Sequence, residues 1–444
     1  MNGTSKSDST PTPAVATAPV DALAQPRREA AGGNKWSRTF AGLRHRNFRL
    51  YLSGQLVSLI GTWMQMMAES WLVYQLSNSA LALGVIRFLN TIPVTLLTLV
   101  GGVVADRFEK RRILVSTQTL SMLLAGILAG LVYFNVVRLW HVALLGLFLG
   151  IANAFDIPAR QSFVVEMVGR KDLMNAIALS SSMFNAGRIV GPALAGLLIG
   201  TIGLAGCFLL NSLSFLAVIA GYLAMRLPRT PPPSNPIALK QATLEALRYV
   251  AKERVLRAVL VLVSTVSLFG WPYSVLMPIF ARDVLHVGAT GYGFLLAANG
   301  VGALLGAFTL ATLGDYPKRR HLVFGGLFGF SAAIFGFAFS KQVWLSATAL
   351  AAAGWFMIVF FATANTSIQL RAPDALRGRI MGIYSLCFIG LTPLGSLMAG
   401  GIAKLTSATF AVAFGSVICV IAALVTMKLV PAQKAQPQEA ISGA

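Results

Sequence analysis

Glu69, Asp156 and Arg188 are the side chains whose surroundings in this sequence most call for chemistry. Each is ionisable and lies inside a long apolar run, where a charge is costly and faces a partner, a cavity or a transported ion. Among the fifteen Asp and Glu residues, Glu69 lies deepest in its run, then Asp156, with Glu166 nearer an end. The second half of the chain has no acid at such depth, since Asp283, Asp315 and Asp374 fall at predicted loops. A carboxylate that alternates between burial and a cation-paired setting binds and releases a proton. Proton coupling through a carboxylate therefore narrows to Glu69 and Asp156.

Gln55, Ser58, Thr62, Gln65 and Glu69 recur at helical spacing, which puts them on one face of the first apolar helix. Such a stripe faces a water-filled cavity or another helix. Arg87, early in the next run, lies at similar depth to Glu69, so a static ion pair fixing the hairpin competes with coupling. Asp156 and Arg160 are four apart and within pairing reach along a helix. Arg188 has two readings, attraction of an anionic or catechol-like substrate and pairing with Asp156. Trp271, Tyr273, Trp355, Phe356, Phe360 and Phe361, with Met64, Met66 and Met67, give soft surfaces for varied amphipathic ligands, or a lipid-facing surface. Asn365 and Gln369 add hydrogen-bonding capacity there.

The elements that must position these groups are membrane helices. Hydrophobic residues make up 56% of the 444-residue chain and charged residues only 11%, against about 25% charge in soluble domains. Apolar segments of about 20 residues, enough to cross a bilayer, recur twelve times: 50–76, 82–104, 113–134, 139–163, 175–201, 204–226, 256–281, 290–313, 321–340, 342–369, 379–403 and 407–429. Alternating strand patterns are missing, which argues against a barrel. The net charge of +21 is a topology signal and not a nucleic-acid footprint. All but six of the 36 Lys and Arg fall in the tails or even-numbered loops. Arg138, Arg282, Lys341 and Lys404 lie on the opposite side, and Arg87 and Arg188 inside helices. Basic flanks stay cytoplasmic, so both termini are expected inside.

Residues 1–40 form a tail rich in Ala, Pro, Ser and Thr without an apolar core, so no cleavable signal peptide is expected. The tail reads as disordered, and 431–444 reads as a second cytoplasmic tail. A polar break at 227–255, opening with Pro228, Pro231, Pro232, Pro233 and Pro236, divides six helices (41–226) from six (256–430). Its second part, Ala238 to Arg257, reads as a surface helix. The halves look like diverged copies: Ala152 and Asn153 are echoed by Ala364 and Asn365, and the 191–196 run by 393–400. Repeated halves around a midplane site are a common transporter plan. Cys207, Cys387 and Cys419 lack paired spacing, and His45, His141, His286 and His321 are scattered, so no metal, disulfide or catalytic constellation is visible and no cofactor is expected.

The most specific string is GVVADRFEKRRIL at 102–114, which sets an acid and four bases on a tight turn between two apolar runs. It resembles the loop 2–3 signature of the major facilitator superfamily, with Glu109 in place of the usual second Gly. The run Gly187, Arg188, Gly191, Pro192, Ala195 and Gly196 resembles the helix 5 antiporter motif of drug-exporting members, with Ala195 for one Gly; its bland reading is a small-residue packing seam. Residues 40–51, 156–163 and 182–188 resemble the bacterial drug and siderophore exporters related to the enterobactin exporter.

The resemblance implies an all-α fold of twelve transmembrane helices in two six-helix bundles, in which helices 1, 4, 7 and 10 line a central cavity. It implies a cytoplasmic gate of Gly102, Asp106, Arg107, Lys110, Arg111, Arg112 and Glu166. In that gate Asp156 or Glu166 receives Arg107 or Arg111, and Asp106 faces the start of helix 11 near Arg377 and Arg379. The expected protein is a monomeric, multi-pass exporter of the bacterial inner membrane, moving small amphipathic molecules against protons. Its site residues are Glu69, Asp156, Arg188, Arg87, Gln65 and Thr62, walled by Trp271, Tyr273, Trp355, Asn365 and Gln369. Rival readings are an uncoupled facilitator or uptake carrier, and a ligand sensor on a transporter scaffold; an enzyme is not expected.

Overall fold

The structure, a computed structural model, describes residues 41–226, 239–314, 318–374 and 376–429. The expected tails, the proline-rich opening of the break and Asp315 lie outside the described residues. Within them the chain is a succession of helices: α1 (Arg46–Ser77), α2 (Ala80–Arg107) and α3 (Lys110–Tyr133). Leu139–Ala224 is helical throughout except at Gly169 and Gly203, whose φ values of 68° and 70° break it into α4 (139–168), α5 (170–202) and α6 (204–224). Left-handed backbone is cheap for glycine, so these two residues turn the chain without a loop. After a surface helix (Leu239–Lys252) come α7 (Arg254–Val284), α8 (Gly288–Leu313), α9 (Arg319–Phe339), α10 (Val343–Arg371), α11 (Arg377–Leu405) and α12 (Ala408–Leu429).

Ten of the described helices are long and apolar enough to cross a membrane. Lys171–Ala224 counts once among them, although at 54 residues it is more than twice the roughly 20 that a bilayer needs and turns at Gly203. The polar stripe on α1 keeps its mean hydropathy low, and α1 is not among the ten.

Local chemistry sets the turns. Asn78 closes α1 in a left-handed conformation with its N–H on the Tyr74 carbonyl, and the Ser79 side chain accepts from Ala82 N to start α2. Two residues thus suffice to reverse the chain. The surface helix stops at Lys252, short of the expected Arg257, because Glu253 caps the N-terminus of α7 through Leu256 N. Ala246 and Val250, one turn apart, are its buried contacts, and Glu245 meets Arg379 of α11 at 3.7 Å.

The helices pack as two groups, one before residue 226 and one after 253. The described turns at 107–110 and 169, the surface helix 239–252, and the helix ends at Leu313, Arg319, Arg371 and Arg377 gather bases such as Arg107, Lys110, Lys171, Lys252, Arg319 and Arg371 at one end, the basic end. At that end a repeated device secures each group. Arg111, the second residue of α3, donates from Nη2 to the Leu223 carbonyl of α6 at 2.6 Å. Arg320, the second residue of α9, donates from Nη2 to the Met427 carbonyl of α12 at 2.9 Å. Both satisfy carbonyls that a helix leaves unpaired at its C-terminus, where a cation also meets the negative end of the dipole.

Bridges between the two groups run from the opposite end to mid-depth. The Tyr74 hydroxyl donates to Asp283, whose neighbour Arg282 lies over the Tyr74 ring at 5.1 Å. Trp71 stacks on Tyr292 at 6.0 Å. α2 crosses α11 at Gly84 and Gly400, and α5 crosses α8 at Gly196 and Gly293, so closely that a Cβ on Gly293 would lie 2.4 Å from the Pro192 carbonyl oxygen. The last bridge on the way to the basic end is Thr95, 3.5 Å from the Gly390 carbonyl. Beyond it α2 and α5 bear exposed apolar side chains such as Leu99 and Met174, at 73% and 78%.

Candidate functional site

Glu69 sits in the interior of the first group, 7% exposed. The side chains around it are Gln65 on α1, Leu124 and Leu128 on α3, and Val142, Leu145, Gly146 and Leu149 on α4, enclosing a void of about 10 Å³. That is room for about one water. Asn90 of α2 donates from Nδ2 to Glu69 Oε1 at 2.7 Å. Gly146 makes the space for it, since a Cβ there would fall 1.7 Å from Asn90 Oδ1. That Oδ1 is buried and has no hydrogen-bond donor. The amide can therefore serve both states of the acid, donating to a carboxylate and accepting from a protonated carboxyl.

Two sequence expectations change here. The α1 stripe faces the interior of its own group and not the central space: Gln55, Ser58, Gln65 and Glu69 are buried, and Gln65 Oε1 accepts from Asn211 Nδ2 of α6 at 2.6 Å. Thr62 alone of the five is exposed, with its hydroxyl bonded to the Ser58 carbonyl. The hydrogen-bond partner of Glu69 is Asn90 and not Arg87, whose Nη1 points at Met66 Sδ, 3.3 Å away; Arg87 acts on Glu69 through its charge. Asn90 was legible as a polar residue one turn after Arg87 in an apolar run, but nothing in its spacing linked it to α1.

Asp156 lies lower in the same group and is fully committed. Its Oδ2 pairs with Arg160 Nη2 at 3.3 Å, while Oδ1 accepts from Gln118 Nε2 at 2.8 Å and Thr117 Oγ1 at 3.1 Å. With 3% of its surface exposed, this carboxylate resembles a fixed structural anchor tying α4 to α3. The expected hand-over of Arg107 or Arg111 to Asp156 is absent in this conformation, because Arg111 caps α6. Glu166 takes Lys110 instead, at 2.5 Å, and Arg112 pairs with Glu109 at 2.8 Å. Asp106 and Arg107 are exposed and Gly102 half-buried. Asp106 does not meet the start of α11: Arg377 pairs with Asp374, and Arg379 with Glu245. A gate contact across the groups would need the basic end to close.

Arg188 lies at mid-depth where the groups part; its carbonyl would lie 3.3 Å from a Cβ on Gly300 of α8. It does not pair with Asp156. Around it the helix 5 motif is a packing seam: Gly187 and Gly191 lie against Trp63 of α1, and Pro192 and Gly196 against α8. On the second group Trp271, Phe361 and Phe388 form one aromatic cluster, with centroids 4.6 to 6.0 Å apart. Tyr273 is buried and its hydroxyl accepts from Asn299 Nδ2 at 3.0 Å. Trp355 binds Thr309 of α8 through Nε1 at 2.9 Å, which fixes it in the α8–α10 seam and removes it from the expected cavity wall. Gln369 donates to Asn365 Oδ1 at 2.5 Å, toward the basic end of α10.

Two packed groups of long apolar helices are a fold that solved transporters share. An auto-inhibited peptide transporter of the POT family superposes with a TM-score of 0.68 at 15% identity, covering 88% of this chain and 99% of that one. The chain belongs to the transmembrane secretion effector family, which it matches over residues 37–442. It is 29% identical to the multidrug efflux pump Tap of Mycolicibacterium fortuitum, over 80% of this chain and 88% of the relative. It is 27% identical to the enterobactin exporter EntS of Shigella flexneri, over 87% and 92%. The protein is thus a major facilitator transporter, similar to drug and siderophore exporters, and not an enzyme.

Proposed function

We propose that the protein exports small amphipathic molecules, drug-like or siderophore-like, across the bacterial inner membrane by alternating access and proton antiport. In this reading twelve helices cross, with α5 and α6 as separate spans, in two six-helix bundles (41–226 and 256–430). The linker 227–255, both tails and the basic end are cytoplasmic, as the concentration of bases supports. The conformation described here is then inward-facing, and the chain acts as a monomer. Substrate enters from the cytoplasm, the bundles rock, the outer seams at Gly84–Gly400 and Gly196–Gly293 part, and the basic end closes.

The observation that carries the coupling is the Glu69–Asn90 pair. A buried carboxyl whose amide neighbour can stabilise either protonation state is suited to taking a proton on one side and releasing it on the other. Asp156, saturated by Arg160, Gln118 and Thr117, is suited to holding α3 and α4 together. One proton moving through roughly 150 mV supplies about 3.5 kcal/mol, at about 2.3 kcal/mol per 100 mV. That sustains a gradient of a few hundred-fold at about 1.4 kcal/mol per decade. The test is export of a panel of amphipathic drugs and catecholates from energised cells. Antiport predicts that an uncoupler stops export against a gradient. Flux that only follows the gradient and ignores the uncoupler identifies a facilitator, and binding without flux a sensor.

A further inference from the structure

Among the described residues Arg188 is a cation without a counter-charge. Its Nε and Nη2 are buried and have no hydrogen-bond partner, while the residue as a whole stays partly exposed at the parting of the two groups. The titratable side chain that acts on it is Tyr273, a phenol that is neutral at neutral pH. The acids of its own group are engaged elsewhere, Glu69 with Asn90 and Asp156 with Arg160. From the facing group α8 brings Gly300 against it, and Asn299 beyond is occupied by Tyr273 and the Leu350 carbonyl. A guanidinium stripped of water and left unpaired is strongly unfavourable. The arrangement becomes favourable when a bound molecule brings the charge.

We infer that Arg188 is the anion receptor of the transported molecule, whose substrates carry a planar oxyanion, such as a carboxylate, on an aromatic body. The guanidinium fork matches such a group with paired N–H donors. The group that brings Tyr273 to Arg188 also carries the Trp271–Phe361–Phe388 cluster, whose rings suit the apolar part. This names the substrate class for the export reading proposed above and rests on that reading for transport, not for binding.

The test uses purified full-length protein and two matched probes, naphthalene-2-carboxylate and naphthalene-2-carboxamide, with 2,3-dihydroxybenzoate as a second carboxylate. Equilibrium dialysis on wild type should show the carboxylate bound at least about tenfold more tightly than its amide, the scale of a charge-assisted contact. In Arg188→Gln the preference should fall to within about twofold, and Arg188→Lys should keep part of it. Because the arginine has no protein partner, Arg188→Gln should melt no lower than wild type, whereas loss of a structural ion pair would lower the melting temperature. The inference is overturned if neither anion binds at millimolar concentration, if the preference survives in Arg188→Gln, or if that variant is destabilised. Anion preference without any export in vesicles would sink the export reading and leave the receptor. Export without anion preference would do the reverse.

Discussion

Gly293→Ala should drive the transporter out of the conformation described here. The new Cβ would lie 2.4 Å from the Pro192 carbonyl oxygen, 2.9 Å from Gly196 Cα and 3.0 Å from Gly196 N. The shortest of these is about 1 Å inside the roughly 3.5 Å of an optimal contact. All three atoms belong to backbone, so no side chain can swing away. Overpacking of this kind costs about 1–3 kcal/mol. The cost applies only while the seam is closed, so the ratio of closed to open outer seam should fall between about fivefold and 150-fold, at about 1.4 kcal/mol per decade. Spin labels at Met174 of α5 and Leu313 of α8, exposed residues of the two groups, report the change by pulsed electron–electron resonance once Cys207, Cys387 and Cys419 are replaced. Parting of the outer seam closes the basic end, so the label distance should shorten. Gly325→Ala is the control, because its Cβ would meet nothing within 4 Å. An unchanged distribution in folded, monodisperse Gly293→Ala would refute the claim that this seam holds the state.

Gly146→Ala should uncouple transport without emptying the substrate site. Its Cβ would displace Asn90, 1.7 Å away, and forfeit a hydrogen bond to a charged group worth about 1.5–3 kcal/mol; substrate-driven proton flux should drop at least tenfold while substrate binding persists. Asp156→Ala should act on stability instead. It strands Arg160 with only the neutral phenols of Tyr51 and Tyr222 beside it, and since Arg160 keeps 28% of its side chain exposed the loss should sit near the lower end of the 3–5 kcal/mol range, about 3 kcal/mol. Thermal unfolding in detergent should show a lower midpoint, with transport by the surviving folded protein retained.

Much of the fold was legible because apolar length and glycine or proline punctuation are local signals. The expected boundary at 201–204 falls on Gly203, and the Asp156–Arg160 spacing yields the ion pair on α4. What was not legible depends on how helices rotate against one another. The α1 stripe was visible as a face, yet whether it turned to the centre or to α3, α4 and α6 depended on Asn211 and Asn90 lying opposite. Trp355 read as wall until Thr309 of α8 proved to be its partner. The basic cluster carried a second ambiguity. Its bases suit a gate by charge, but Arg111 reaches free carbonyls of α6, a use that appears only when the end of α6 is placed beside the start of α3. At the start of α9 Arg320 has the same use, on the Met427 carbonyl of α12, a packing role that residue identity alone did not reveal.

The central claim is that Glu69 carries the proton that drives export. The direct measurement is substrate-triggered proton movement in acid-loaded inverted vesicles, comparing wild type with Glu69→Gln at matched protein levels, using catecholates and amphipathic drugs. The account predicts proton release from the vesicle lumen on substrate addition in wild type, and loss of that release in Glu69→Gln with substrate binding intact. Undiminished proton release from Glu69→Gln would contradict it.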